Sequence, residues 1–281
     1  MANEIVSSRE MLKNYHEIAN SKANMRSGSL LFLGFLAGIF IALGAAGSIT
    51  ATAAFGNPMF GRIAAALIFP VGISMVVIVG AELFTGNALM LISTVSGYIS
   101  VKAMMRSWIV VYFANFVGAI FVAVLVNLSG QLAGFGGEIA RMTIVAAAYK
   151  TGIPFEKALA LGIFCNFLVC VGIWMSMLGT RVTDKILGVF LPIMLFVLCG
   201  FEHSIANMYF IPAGIIAKMN SDYAAFLPSI GGIEDLTWGG FAMNLIPVTI
   251  GNIIGGALLF GLMLSAEVRR SEERRVGKEC R

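Results

Sequence analysis

The stretch "GFEHSIANMYF", residues 200–210, decides the fold. It lies in an otherwise apolar part of the chain, yet it carries Glu202, His203 and Asn207, where a lipid-facing helix would carry no ionisable group. A second stretch repeats its design. When "GAELFTGNALML" (80–91) is set above "GFEHSIANMYFI" (200–211), Gly80 meets Gly200, Glu82 meets Glu202 and Asn87 meets Asn207. The neighbours match in the same order. "AGIF" at 37–40 resembles "LGIF" at 161–164, and "ANFVGA" at 114–119 resembles "GNIIGG" at 251–256, pairing Asn115 with Asn252 and Gly118 with Gly255. The chain reads as two copies of one unit.

Composition names the medium. The 281 residues are 58% hydrophobic and 12% charged, with a mean hydropathy of +0.89, outside the range of soluble domains. Uncharged runs fall at 27–61, 63–81, 83–101, 107–137, 158–180, 186–201, 204–217 and 236–266. A bilayer core takes roughly 20 apolar residues as a helix. The first run holds a span near Leu30–Ile49 followed by a loop around "FGNPMFG", and 107–137, 158–180 and 236–266 hold one span each. The pairs 63–81 with 83–101 and 186–201 with 204–217 are each interrupted near a glutamate and read as one helix broken inside the membrane. The expected fold is an all-α integral membrane protein of six transmembrane helices, with the second and fifth broken. Three spans per copy, roughly 27–130 and 155–268, force the copies into opposite orientation, an inverted 3+3 repeat.

With the N-terminus inside, the inner segments hold ten Lys and Arg residues (Arg9, Lys13, Lys22, Arg26, Lys102, Arg106, Arg181, Lys185, Arg269, Arg270) and the outer ones five (Arg62, Arg141, Lys150, Lys157, Lys218). The positive-inside rule then places both termini in the cytoplasm. The net charge of +4 reports this topology and implies no nucleic-acid partner. Residues 1–26 are polar, so no cleavable signal is expected, and they read as a cytoplasmic amphipathic helix. Ser7 with Glu10 fits a capping box, and Met11, Leu12, Tyr15, Ile18 and Ala19 share one face. Such a helix can lie on the inner surface or plug a cytoplasmic pore mouth. "RSEERRVGKEC" at 270–280 matches a translated sequencing adapter, so 270–281 is expected to be a non-native, disordered tail. The remaining Cys165, Cys170 and Cys199 fall within spans as core thiols; no CxxC or Cys/His spacing suggests a disulfide or a metal.

Breaking a helix in lipid strands backbone N–H and C=O groups, at several kcal/mol each, unless they line a cavity or find protein partners. Here the breaks carry Glu82, Thr85 and Asn87 in one copy and Glu202, His203 and Asn207 in the other. Two breaks related by a pseudo-twofold axis meet near the midplane, where the positive ends of half-helices suit an anion. The glutamates and asparagines are expected to cap the broken ends. His203, the sole intramembrane histidine, is costly if idle and is expected in the pore. With two histidines, no HExxH, no GxSxG and no cofactor loop, an enzyme is disfavoured and no cofactor is expected. A non-conducting scaffold would need no polar midplane.

"AELFTGN", "GIFCNFLVC", "GFEHSIANM" and "NLIPVTIGNIIGG" together resemble the formate–nitrite transporter family, most closely its bacterial formate channels, over nearly all of 5–268. The resemblance implies an aquaporin-like fold, a homopentamer in the bacterial inner membrane with one pore per protomer, and passage of a small weak-acid anion, foremost formate. Nitrite, hydrosulfide, lactate or acetate stay open as substrates. It makes Lys150 the vestibule lysine that draws anions from outside and eases their protonation, and places Asn166 near it. Leu83 and Phe196 match apolar constrictions, Phe69 is expected to close the pore inward, and Thr85 and His203 face its middle. Glu202, Asn166 or water would hold the His203 tautomer. Ile73 stands where formate channels can carry leucine, too mild a change to decide substrate. Tyr209 and Phe210 take no assigned role. Asn57–Pro58 is followed by Met rather than Ala, unlike the paired NPA motifs of aquaporins.

Overall fold

The structure, a computed structural model, describes residues 8–267 and Arg270. Ser7, the expected capping partner of Glu10, and the tail beyond residue 270 lie outside the described residues. Among the described residues, six helices are long and apolar enough to cross a membrane. Helix α1 (Ser8–Asn24) precedes the first span, α2 (Ser27–Phe55). The second span is built from α3 (Pro58–Ile68) and α4 (Pro70–Val79), then breaks and resumes as the short α5 (Phe84–Asn87) and α6 (Met90–Val95). The third span is α7 (Val101–Leu128). After α8 (Glu138–Thr151) come the fourth span, α9 (Phe155–Leu178), and the broken fifth, α10 (Val182–Cys199) and α11 (Ser204–Met219). The sixth is α12 (Trp238–Ile253), which continues as a π-helix over Ile254–Leu262.

Both breaks are made the same way. Gly80 ends α4 at φ 75° and Gly200 ends α10 at φ 74°, left-handed positions that glycine adopts without strain. Two residues then run without helical pairing before Leu83 and His203 open the next helices with nearly equal backbone angles. The backbone groups on either side of each glutamate find partners in neighbouring helices. The Glu82 N–H donates to Leu33 O (3.2 Å) and the Glu202 N–H to Leu161 O (3.3 Å). Asn115 accepts from the Phe84 N–H at 3.0 Å and donates to Gly34 O (2.7 Å) and Glu82 O (2.9 Å). Asn252 does the same for the Ser204 N–H (2.9 Å), Gly162 O (2.8 Å) and Glu202 O (3.0 Å). In a medium without water, these two amides are what make the breaks affordable.

Those bonds fix the repeat register and correct one pairing read from sequence. Leu33 corresponds to Leu161 and Gly34 to Gly162, so "LGIF" at 161–164 aligns with "LGFL" at 33–36, one helical turn before "AGIF". Close helix crossings agree: a Cβ on Gly118 would strike Phe35 O, and one on Gly255 would strike Ile163 O. The same offset brings Lys22 onto Lys150 and α1 onto α8. Each copy therefore starts one helix earlier than the spans imply.

Helix α8 went unread in the sequence because Glu138, Arg141 and Lys150 interrupt the apolar run; it buries Ile139, Ala140, Ile144 and Ala147 and packs on α11. Helix α1 turns its apolar face to the bundle rather than to lipid, with Met11, Leu12, Tyr15 and Ala19 buried. His16 stacks on Tyr98 at 3.8 Å and bonds Ser93 Oγ at 2.9 Å, while Arg106 Nη2 donates to Ala23 O (3.0 Å) and Met25 O (2.7 Å). Cys165 and Cys170 are core thiols as expected; Cys199 is exposed, because it ends α10 on the outside of the bundle.

Candidate functional site

Two pockets approach the midplane from opposite ends. The one on the α1 side, about 230 Å3, is lined by Tyr15, Lys22, Glu82, Leu83 and Asn87. The far one, about 200 Å3, is lined by Arg62, Phe69, Lys150, Phe196, Glu202 and His203. Each holds a buried ion pair of the same design. Lys22 Nζ lies 2.7 and 2.8 Å from the two Glu82 oxygens, and Lys150 Nζ lies 2.7 Å from Glu202 Oε1. Asn87 Nδ2 donates to Glu82 Oε2 and Asn207 Nδ2 to Glu202 Oε2, both at 2.7 Å. The carboxylates are taken up by side chains rather than by the broken helix ends, so the expected capping role of Glu82 and Glu202 passes to Asn115 and Asn252. A charge buried this deeply needs such a partner, since an unpaired one costs several kcal/mol.

The two ends differ in what the lysine has left. Lys22 spends three contacts on Glu82 and, at 3.0 Å, Asn87 Oδ1. Lys150 makes one hydrogen bond, to Glu202, and hangs 5.1 Å over the Phe210 ring. The amide that matches Asn87 is turned elsewhere: Asn207 Nδ2 also donates to Asn244 Oδ1 at 2.8 Å, and its buried Oδ1 has no partner. Asn244 in turn donates to Lys150 O at 2.8 Å, tying Lys150, Glu202 and Asn207 into one ring.

Between the pockets, His203 Nε2 lies 2.9 Å from Thr85 Oγ1, joining the two breaks at their closest polar contact. The Ala206 N–H donates to His203 Nδ1 at 3.1 Å, capping α11. A ring nitrogen that accepts an N–H carries no proton, so the neutral ring holds its hydrogen on Nε2 and donates it to Thr85 Oγ1. The tautomer is thus set by Ala206 and Thr85, neither of which was anticipated in place of Glu202, Asn166 or water. The Thr85 hydroxyl proton is left for a further acceptor.

Aromatic rings close the far pocket around this pair. Phe196 stacks on His203 at 6.0 Å and meets Phe69 edge-on at 5.6 Å; Phe69 also stacks on Phe210 at 6.5 Å. Phe69 therefore belongs to the Lys150 side and does not close the pore inward, because the Pro70 turn within the second span aims it at α10 and α11. Leu83 walls the α1 side. Asn166 is not beside Lys150: it donates to Thr85 O (3.2 Å) and Asn252 O (2.7 Å), bracing the first break from α9. Lys22, Phe210, Asn244 and the bracing role of Asn115 and Asn252 were missed. The repeat offset alone, applied one helix earlier, would have found Lys22. A larger groove of about 490 Å3 between α7 and α12 carries no Lys, Arg, Asp, Glu or His and stands apart from this path.

Residues 9–266 match the family described as formate/nitrite transporter. The chain belongs to that family. Formate channel FocA of Haemophilus influenzae is 42% identical over 251 residues, covering 87% of this chain and 88% of that one. Formate channel FocA of Escherichia coli K12 is 38% identical over 90% of each chain. Among solved structures, a pentameric formate channel with formate bound superposes with a TM-score of 0.77 at 34% identity, covering 84% of this chain and 95% of that one. An FNT family ion channel gives 0.75 at 29% identity, covering 91% and 96%. The formate/nitrite transporter fold is thus this chain's fold, a multi-pass membrane channel architecture with an inverted repeat.

Proposed function

We propose that this protein passes formate across the bacterial cytoplasmic membrane as a homopentamer with one pore per protomer and both termini in the cytoplasm. The observation that carries the reading is the His203–Thr85 pair, 2.9 Å apart, set between two pockets that each hold a lysine–glutamate pair. The family match and the formate channels among its relatives support the substrate, and channel-type neighbours support a non-enzymatic role. The lysine and arginine distribution supports α1 on the inner face.

The walls decide the chemistry. An anion crossing rings such as Phe69 and Phe196 loses its hydration, whereas the neutral acid does not carry that penalty. A lysine alone attracts the anion but opposes its protonation; apolar walls favour the neutral acid, and the two act in sequence along the path. Formate meets Lys150, whose remaining N–H donors face the pocket, and moves toward His203 and Thr85 as the walls close. There the Thr85 hydroxyl, aligned by the Nε2–H bond that it accepts, supplies a hydrogen bond to the substrate. Beyond Leu83 the α1-side pocket receives it beside Lys22, under Tyr15 of α1.

A flux panel on reconstituted vesicles tests this. Formate should equilibrate faster than nitrite or hydrosulfide, and faster at pH 5 than at pH 8, because the neutral acid is the more abundant at the lower pH. Lys150→Ala should lose formate flux at low substrate concentration, by about tenfold for one charge-assisted hydrogen bond, and should also lose stability, since Glu202 then keeps only the Asn207 amide. Equal fluxes of all three anions at both pH values, or an unchanged Lys150→Ala, would count against the reading.

A further inference from the structure

Within their linings, both pockets balance a lysine against a glutamate, but only the Lys150 pocket takes in a second cation. Arg62, on α3, lines that pocket, and its Nε donates to Leu198 O at 2.8 Å. Leu198 lies in the last turn of α10, so the guanidinium rests on the negative end of that helix. One Nη group lies over Gly200, where an added Cβ would collide with it. The arm is therefore anchored, while its Nη groups have no hydrogen-bond partner among the described residues. On the α1 side the lining holds Lys22 and Glu82 and no further charged side chain, and Lys22 is fully engaged. The formal charge of the lining is thus one positive unit at the far pocket and zero at the α1 pocket.

We propose that Arg62 is the first anion contact of the outer mouth: its free Nη groups receive a monovalent oxyanion from solution and pass it to Lys150 below. The proposal rests on the transport reading above. A planar fork of N–H donors suits a carboxylate better than a point charge, and an arginine already bound through Nε loses little freedom on receiving it. Lys150 cannot serve that purpose alone, because Glu202 cancels its charge at 2.7 Å. The asymmetry also gives the pore a direction: anions gather at one end by an attraction that the other end lacks.

A structural role, in which Arg62 merely caps α10, predicts lost stability and no sidedness. The two are separated by formate flux in right-side-out and inverted membrane vesicles bearing the full chain, at low and high ionic strength, with Arg62→Gln and Arg62→Lys. Glutamine can still donate to Leu198 O. Arg62→Gln should raise the half-saturating formate concentration about two- to fivefold from the outer face at low ionic strength, the worth of one charge a few ångström away in water. It should leave the inner face unchanged, and the difference should vanish in concentrated salt. Arg62→Lys should restore most of the effect. Equal shifts from both faces, or none in a variant that still conducts, would overturn the role of Arg62 while leaving the transport reading intact. Absence of formate flux in the wild type would instead sink the transport reading, and this proposal with it. Should Arg62→Gln fail to assemble, the wild type decides: its outer half-saturation must rise with salt more than its inner one, and equal salt responses refute the proposal.

Discussion

Asn252→Ala is expected to unfold the protein at a markedly lower temperature, with a loss of about 3 to 6 kcal/mol, comparable to the whole margin of many domains. The side chain serves three buried backbone groups at once: it accepts from the Ser204 N–H and donates to Gly162 O and Glu202 O. Alanine leaves all three unpaired where water is scarce, and each orphaned group costs about 1–3 kcal/mol. The cavity left behind is polar and small, so partial filling by water sets the lower bound. Asn252→Asp should not rescue, because a carboxylate would face two carbonyl oxygens. Asn115→Ala should lose a similar amount, since Asn115 serves Phe84, Gly34 and Glu82 in the same geometry. Thermal unfolding followed by loss of the oligomer on size exclusion reads the effect. A variant unfolding at the wild-type temperature would mean that the break is held by something other than these amides.

That expectation shows which parts of the fold were legible. Gly80 and Gly200, each two residues before a glutamate in an apolar run, signalled the breaks, because only a broken helix accommodates that pattern in lipid. The pairing of Asn115 with Asn252 was equally plain as a match, yet what they do was not, since a partner chosen from another span leaves no local trace. The short motif "AGIF" misled by one turn: small residues recur at helical spacing, and Gly34 and Gly38 both face a neighbouring helix. Helix α8 was hidden by its own charges, because a run criterion counts Lys150 as an interruption even when its stem is buried. Lys22 was hidden for a related reason. An amphipathic helix outside the spans reads as a surface element, and only the corrected offset assigns Lys22 the place of Lys150.

The centre of the path was the least legible, because it breaks the repeat. Leu83 occupies the position that His203 holds in the other copy, and Ile205 the position of Thr85. The one polar contact between the breaks is therefore a residue from each copy whose counterpart is apolar, and no internal alignment can propose it.

His203→Asn isolates that contact. An asparagine at the same position can still accept from the Ala206 N–H, so α11 keeps its cap and the protein should assemble as the wild type does. Its side chain is shorter than an imidazole and cannot span to Thr85 Oγ1 while capping. The pore then loses its Nε2–H donor between the Phe196 ring and Leu83, and a substrate at the narrowest point has less to replace its hydration. Acid-favoured formate influx should fall by about 10²-fold, the lower end of what a positioned proton-handling group contributes. The pH 5 to pH 8 profile should flatten. Thr85→Val should produce a loss of the same kind, because it removes the hydroxyl that His203 addresses, and Thr85→Ser should keep most of the flux. If the two residues act as one unit, the double variant His203→Asn/Thr85→Val should be scarcely worse than either single one. Additive losses would mean that each meets the substrate independently. A His203→Asn protein with the wild-type rate and pH profile would reduce the histidine to a helix cap, and proton handling would then belong to the substrate and the apolar walls alone.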